Sequence, residues 1–165
     1  MRTVIEGMDG TGKSTLASLL HDATGWHVVR WGDPPTDVMR YFATVGEARQ
    51  LAREHGHIIY DRHPLISDAV YGPGYFDGAL GMRTDEARWI ADRLHESAIG
   101  RVIWCDVDDP RDLRIEARDT EVDQAKTAGL IAQAPELLEK YTNLMTVLRH
   151  YGVNVIRYVI LKGAK

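Results

Sequence analysis

The sequence has one cysteine, Cys105, in 165 residues, which excludes an internal disulfide. That cysteine lies in the apolar run Val102-Ile103-Trp104-Cys105, the setting of a buried, inert thiol rather than of a nucleophile. No apolar stretch approaches the length of a membrane span, so no membrane partner is expected. No block of like charge occurs, and the formal net charge is -4. A general nucleic-acid binder would carry a basic stripe, so that partner class is not expected either. A small anionic ligand stays open, because one local cluster of arginines suffices for it. Internal repeats and low-complexity segments are missing. The seven histidines show no metal-ligand spacing. His55 and His57 flank Gly56 and read as turn residues. The chain enters a strand at once, which leaves no room for a signal peptide and gives the expectation of a cytoplasmic protein.

What is present is ordinary for a soluble domain: 44% hydrophobic and 27% charged residues. The length suits one domain, 1–165, with one sizeable core. Strands are expected at 3–6, 27–31, 57–60, 101–107 and 154–160. Helices are expected at 13–22, from an N-cap at Thr36 to about residue 54, from a cap at Thr84 to about residue 97, at 112–118, and from Pro135 to about residue 151. Strands separated by helices of this length imply βαβ crossovers. The fold class that follows is a three-layer α/β domain with about five parallel strands.

Gly7-Met8-Asp9-Gly10-Thr11-Gly12-Lys13-Ser14 fits the phosphate-loop pattern G-x-x-x-x-G-K-[ST] completely, between an apolar strand and an amphipathic helix. Glycine at 7, 10 and 12 lets the backbone turn its N–H groups toward phosphate oxygens. Lys13 brings a charge to the β and γ phosphates, its ammonium expected to be exposed, and Ser14 offers a hydroxyl to Mg²⁺. Thr11 and Thr15 complete the phosphate-binding stretch, 7 and 10–15. The third strand ends at Asp61, an acid after an apolar run. At the carboxyl edge of an α/β sheet, Asp61 is placed to hold Mg²⁺ through water or to accept a proton. Capping of the next turn is the alternative for Asp61. Arg62 beside it suits a second substrate that carries a phosphate.

Residues 6–15 together with Asp61-Arg62-His63 resemble the thymidylate kinase group of P-loop nucleotide kinases, with the deoxynucleoside kinases as cousins. Ser67-Asp68-Ala69-Val70-Tyr71-Gly72 is similar to the Ser-x-x-Ala-Tyr segment of that group, one residue longer. Residues 102–110 resemble its fourth strand, which ends Asp-Val-Asp-Pro. The resemblance implies ATP and Mg²⁺ as cofactors and a small nucleotide as substrate, and it is compatible with a homodimer. It implies that Asp9 meets the 3′-hydroxyl of the acceptor, that Arg62 grips the acceptor phosphate, and that Phe42 stacks on the base. The group has an arginine one turn after that aromatic, where this chain has Gly46. Arg49, two turns along the same face, is the candidate replacement, or else a solvated helix arginine. Tyr71, Tyr75 and Phe76 either line the acceptor pocket or pack in the core, and His63 reads as an orienting or packing residue rather than a base.

The phosphate loop holds no arginine of its own, so the cation that meets the transferring phosphoryl group is expected from a short helical lid at about 111–134. Arg111, Arg114 and Arg118 share one helical face there, with a solvated, salt-bridged helix as the alternative. The polar segment 119–129 is expected to move. The expected activity is transfer of the ATP γ-phosphoryl group to a deoxynucleoside monophosphate, with dTMP the first candidate. Two alternatives stand beside it: a deoxynucleoside kinase acting on a 5′-hydroxyl with Asp61 as base, and a P-loop ATPase or nucleotide switch.

Overall fold

The computed structural model describes residues 1–30, 38–71, 86–113 and 121–159, and leaves the side chains of 38–45, 48, 86 and 121–126 undescribed. Five strands, β1 (Arg2–Glu6), β2 (His27–Arg30), β3 (Ile58–Asp61), β4 (Ile99–Asp106) and β5 (Val155–Val159), form one sheet in the order β2-β3-β1-β4-β5. Every adjacent pair is parallel. The five-stranded parallel sheet read from the sequence is thus present. The crossovers carry α1 (Lys13–Thr24), α2 (Val38–His55), α3 (Pro64–Tyr71), α4 (Glu86–Glu96) and α5 (Glu121–His150).

Alternation along each strand sends neighbouring side chains to opposite faces. Val4, Ile58, Tyr60, Val102 and Trp104 pack under α2, α3, α4 and α5 in the larger core, with Leu65, Ile66, Leu94, Tyr141, Met145 and Leu148. Ile5, Ile59 and Cys105 face the other way and meet Ala17 of α1. Strands covered on both faces are apolar at successive positions, which is why 58–60 and 102–105 read as continuous runs. α1 stops at Gly25, whose φ of 69° lets its N–H close on the His21 carbonyl at 2.7 Å.

Three expectations change. The stretch 64–71 had no assignment but forms α3, started by Pro64, whose missing N–H is harmless in a first turn. Pro135 does not open the last helix but lies inside it. Helix formers such as Ala128, Leu130 and Ala132 extend α5 back to Glu121, and the proline removes only the bond to the Ile131 carbonyl. The segment 121–129 is therefore part of α5. After β4, the helix expected at 112–118 does not begin at Asp112. Pro110–Asp112 is a 3-10 turn and Leu113 is extended, with φ -61° and ψ 129°. Thr36, Thr84 and 114–120 lie outside the described residues, as does the loop 72–85.

Candidate active site

The phosphate loop joins β1 to α1 at the carboxyl edge of the sheet. Gly7 has φ +145°, and a Cβ there would stand 2.2 Å from the Cys105 carbonyl oxygen. Only glycine lets the loop lie this close to β4. Gly10 and Gly12 also have positive φ, 83° and 71°. The buried Met8 side chain anchors the loop, and its carbonyl accepts bonds from Thr11 Oγ1 at 2.7 Å and Lys13 Nζ at 2.6 Å. Thr11 therefore braces the loop twice, through its hydroxyl and through its N–H, which reaches the same carbonyl at 3.3 Å. The Lys13 ammonium is not exposed as expected: its side chain is 6% accessible, because the loop curls around it. Burial and the nearby Arg62 lower its pKa from the ordinary lysine value, against the pull of Asp9 3.7 Å away. Gly12 caps α1 without a side-chain bond, so the first amides of the helix stay open to an anion. Ser14 and Thr15 are exposed at this end.

Parallel pairing of β1 and β3 sets Asp61 beside Ile5, two residues before the loop. Ser14 Oγ donates to Asp61 Oδ2 at 3.0 Å. A hydroxyl and a carboxylate that share a contact at this edge are the donor types a small hard cation takes, so both residues fit Mg²⁺. Arg30, at the end of β2, places Nε 3.8 Å from the same Asp61 oxygen.

Arg62 turns the chain out of β3 with φ +76°, a left-handed conformation that costs energy for a residue with a side chain. Several bonds hold it there. Arg62 N donates to the Ile5 carbonyl at 2.9 Å. Its guanidinium bonds to Asp9 Oδ1 and lies over the Tyr71 ring, 5.7 Å from the centroid. Burial works against the Arg62 charge, but Asp9, with Tyr71 and Glu6, carries its pKa above the ordinary value. Beneath this turn sits Glu6, fully buried. Its carboxyl accepts from His63 N, from Ser67 Oγ at 3.3 Å, from Gly7 N at 3.3 Å and from Tyr141 Oη at 3.2 Å. Tyr141 in turn meets Tyr71 edge-on, with centroids 6.3 Å apart. Glu6 thus ties the phosphate loop, the Arg62 turn, α3 and α5 to one side chain. Burial raises its pKa, with Arg62 and the His63 N–H opposing.

The structure brings Asp9, Lys13, Ser14, Asp61, Arg62 and Tyr71 together. Arg49 is a correction. It was expected near the acceptor, but its guanidinium reaches Ser97 Oγ at 3.4 Å, and the Ser97 carbonyl bonds Arg2 at the amino end of β1. The opposite edge of the sheet holds the phosphate loop, so Arg49 is not part of the site. The reason is length: α2 runs back toward the amino end of β3, and two turns beyond Phe42 the helix has left the carboxyl edge. Phe42 lies on α2, with its side chain outside the described residues, as are Arg114, Arg118, Tyr75 and Phe76. Arg111 is 87% exposed and pairs with Asp109 at 2.5 Å. His63 is buried, which pushes its pKa down to about 4, so it is neutral near pH 7. Burial also holds the Cys105 thiol up at about 12, in keeping with an inert group. The sequence assigns no site role to Glu6, Arg30, Ser67 or Tyr141. An acid closing an apolar strand marks Glu6 and an arginine closing another marks Arg30, but nothing local marks Tyr141.

A parallel sheet in the order 2-3-1-4-5, a glycine loop from β1 to α1, and an acid at the end of β3 facing the loop serine define a P-loop fold. The same fold appears in the YorR protein of Bacillus subtilis, solved in complex with phosphorylated GDP. The two are 20% identical, with a TM-score of 0.66 over 96% of this chain and 85% of that one. The chain is also similar to deoxyadenosine kinase from M. mycoides with bound dATP, at 16% identity and a TM-score of 0.55 over 97% and 90% of the two chains. The same kinase with its products dCMP and dCDP gives 17% identity and a TM-score of 0.53 over 98% and 90%. No protein-family model and no curated protein matches the chain. Among the described residues no helix is long and apolar enough to cross a membrane, and no group of three or more histidine, cysteine or acidic side chains could hold a metal ion.

Proposed function

We propose that this protein is a nucleotide kinase that transfers the γ-phosphoryl group of ATP to a deoxynucleoside monophosphate, with dTMP the first acceptor to test. The observation that carries the reading is Arg62, charged and locked beside the phosphate loop by Asp9 and Tyr71. The loop stretch 7 and 10–15, through its open amides and Lys13, holds the triphosphate. Ser14 and Asp61 would hold Mg²⁺, which when bound neutralises phosphate charge. An acceptor monophosphate exchanges partners with the resting ion pair: its phosphate takes Arg62, and its 3′-hydroxyl takes Asp9. Phe42 stacks on the base, and Tyr71 backs the guanidinium. Arg114 and Arg118 supply the cation that meets the transferring group from a lid. An anionic acceptor oxygen needs no strong base, so Asp61 is free for the metal.

A second reading, a deoxynucleoside kinase, is favoured by the structural likeness to deoxyadenosine kinase. It is also favoured by the Asp9–Arg62 pair, which already neutralises Arg62 without an anionic acceptor. In that reading Asp61 takes the proton of the 5′-hydroxyl. Coupled ADP-release assays over the four deoxynucleosides and their monophosphates decide between them. The first reading expects kcat/KM for a monophosphate to exceed that of its nucleoside. The reverse order promotes the second, and no ADP release from any acceptor overturns both.

A further inference from the structure

Among the described residues three cations stand along the carboxyl edge over β1, β3 and β2: Lys13, Arg62 and Arg30. Two are already engaged. Lys13 is buried and bonded to the Met8 carbonyl, and Arg62 is bonded to Asp9 and packed on Tyr71. Arg30 differs. Its side chain is 64% exposed, and among the described residues it meets Asp61 in an ion pair at 3.8 Å, longer than a hydrogen bond. An exposed pair of this length contributes little to stability. It does, however, leave the guanidinium beside Asp61. The β2–β3 register sets Arg30 directly across from Asp61, the residue before Arg62. The side chain is therefore loosely tethered, solvent-facing and beside Asp61, whose neighbour in the chain, Arg62, is assigned to the acceptor.

We infer that Arg30 is a second acceptor-phosphate arginine, and that it makes the site select a phosphorylated acceptor over the bare nucleoside; this rests on the monophosphate-kinase reading above. Two guanidinium forks on one dianion give charge-assisted bonds that a neutral 5′-hydroxyl cannot return. Arg62 must give up Asp9 to bind a phosphate, whereas Arg30 gives up only a weak contact.

The test is calorimetric binding of dTMP and of thymidine, and of the dAMP, dCMP and dGMP pairs with their nucleosides, without ATP or Mg²⁺. Parent, Arg30→Ala and Arg30→Lys are compared. Arg30→Ala should weaken binding of the preferred monophosphate by about tenfold or more, the usual worth of a lost bond to a charged group. Binding of its nucleoside should stay within about twofold, and Arg30→Lys should recover part of the loss. The turnover preference for monophosphate over nucleoside should narrow in step. Urea midpoints should be unchanged, since the side chain is exposed. If the parent turns over a monophosphate while Arg30→Ala keeps both affinity and preference, the Arg30 assignment fails and the kinase reading stands. Equal weakening of monophosphate and nucleoside also overturns it, as a general loss of structure. A parent that handles no monophosphate removes the kinase reading and this inference together.

Discussion

Replacing Glu6 should be the most damaging single change near the site that touches no substrate. In Glu6→Ala four donors lose their acceptor: Gly7 N, His63 N, Ser67 Oγ and Tyr141 Oη. The two hydroxyls can rotate toward other acceptors. The two backbone N–H groups cannot, and each buried orphan costs about 1–3 kcal/mol. The void left by the side chain adds about 1 kcal/mol more. The total, about 3–7 kcal/mol, is comparable to the whole stability of a small domain. Glu6→Gln should cost less, about 1–3 kcal/mol, because its carbonyl can still serve His63 and Ser67 and Tyr141 turns to accept from the amide, so that only Gly7 N loses its acceptor. Tyr141→Phe removes a single bond and should cost less again. Urea unfolding followed by tryptophan fluorescence measures all three. The order Ala, Gln, Phe has a pH signature too. Burial raises the Glu6 pKa above its ordinary 4.5, so the folded state holds that proton more tightly than the unfolded state does. Parent stability relative to Glu6→Gln should then be greatest at low pH and fall as pH rises from the ordinary value through the raised one. A Glu6→Ala protein within about 1 kcal/mol of the parent would refute the reasoning, since it would mean that the amides find other partners.

Lys13→Met should lower kcat by about 10²-fold or more through loss of a phosphate clamp; because the side chain is buried, its urea midpoint should be measured beside turnover, and a folded variant with near-normal turnover would remove the phosphate-loop assignment. His63, with a pKa lowered to about 4 from 6.5, binds its proton less readily in the folded state, so stability should fall as pH drops from 6.5 toward 4, by about 3 kcal/mol in the limit. His63→Gln should flatten that part of the stability curve, and a parent and variant with parallel curves would show that the imidazole does not titrate differently on folding. Arg114→Ala, Arg118→Ala or the double variant should lower kcat by about tenfold or more with ATP affinity nearly kept, as expected for a contact made in the transition state; parent-like turnover in all three would remove the lid assignment.

The phosphate loop and the strand that ends at Asp61 were legible because both are local. A positive-φ glycine series, a lysine and a hydroxyl at set spacing leave a mark in consecutive residues, and a buried parallel strand leaves an apolar run. The sheet followed for the same reason, since alternating strands and helices admit few topologies. Residues 64–71 were missed because eight residues with several apolar positions show no clear period. Pro135 misled because proline usually opens a helix, and only the packing of Leu137, Leu138 and Tyr141 on the sheet decides that the helix runs through it. The site divides along the same line. That Asp9, Arg62 and Lys13 are chemistry-bearing could be read from their neighbours in the chain. That Asp9 holds Arg62, that Arg49 points to the wrong edge, and that Arg30 stands over Asp61 could not. Those facts depend on which strands are adjacent and where a helix has turned, and such contacts join residues 31 to 53 positions apart. Glu6 is the plainest case: its neighbours mark it as the last residue of a strand, and only the folded chain brings Ser67 and Tyr141 to its carboxyl.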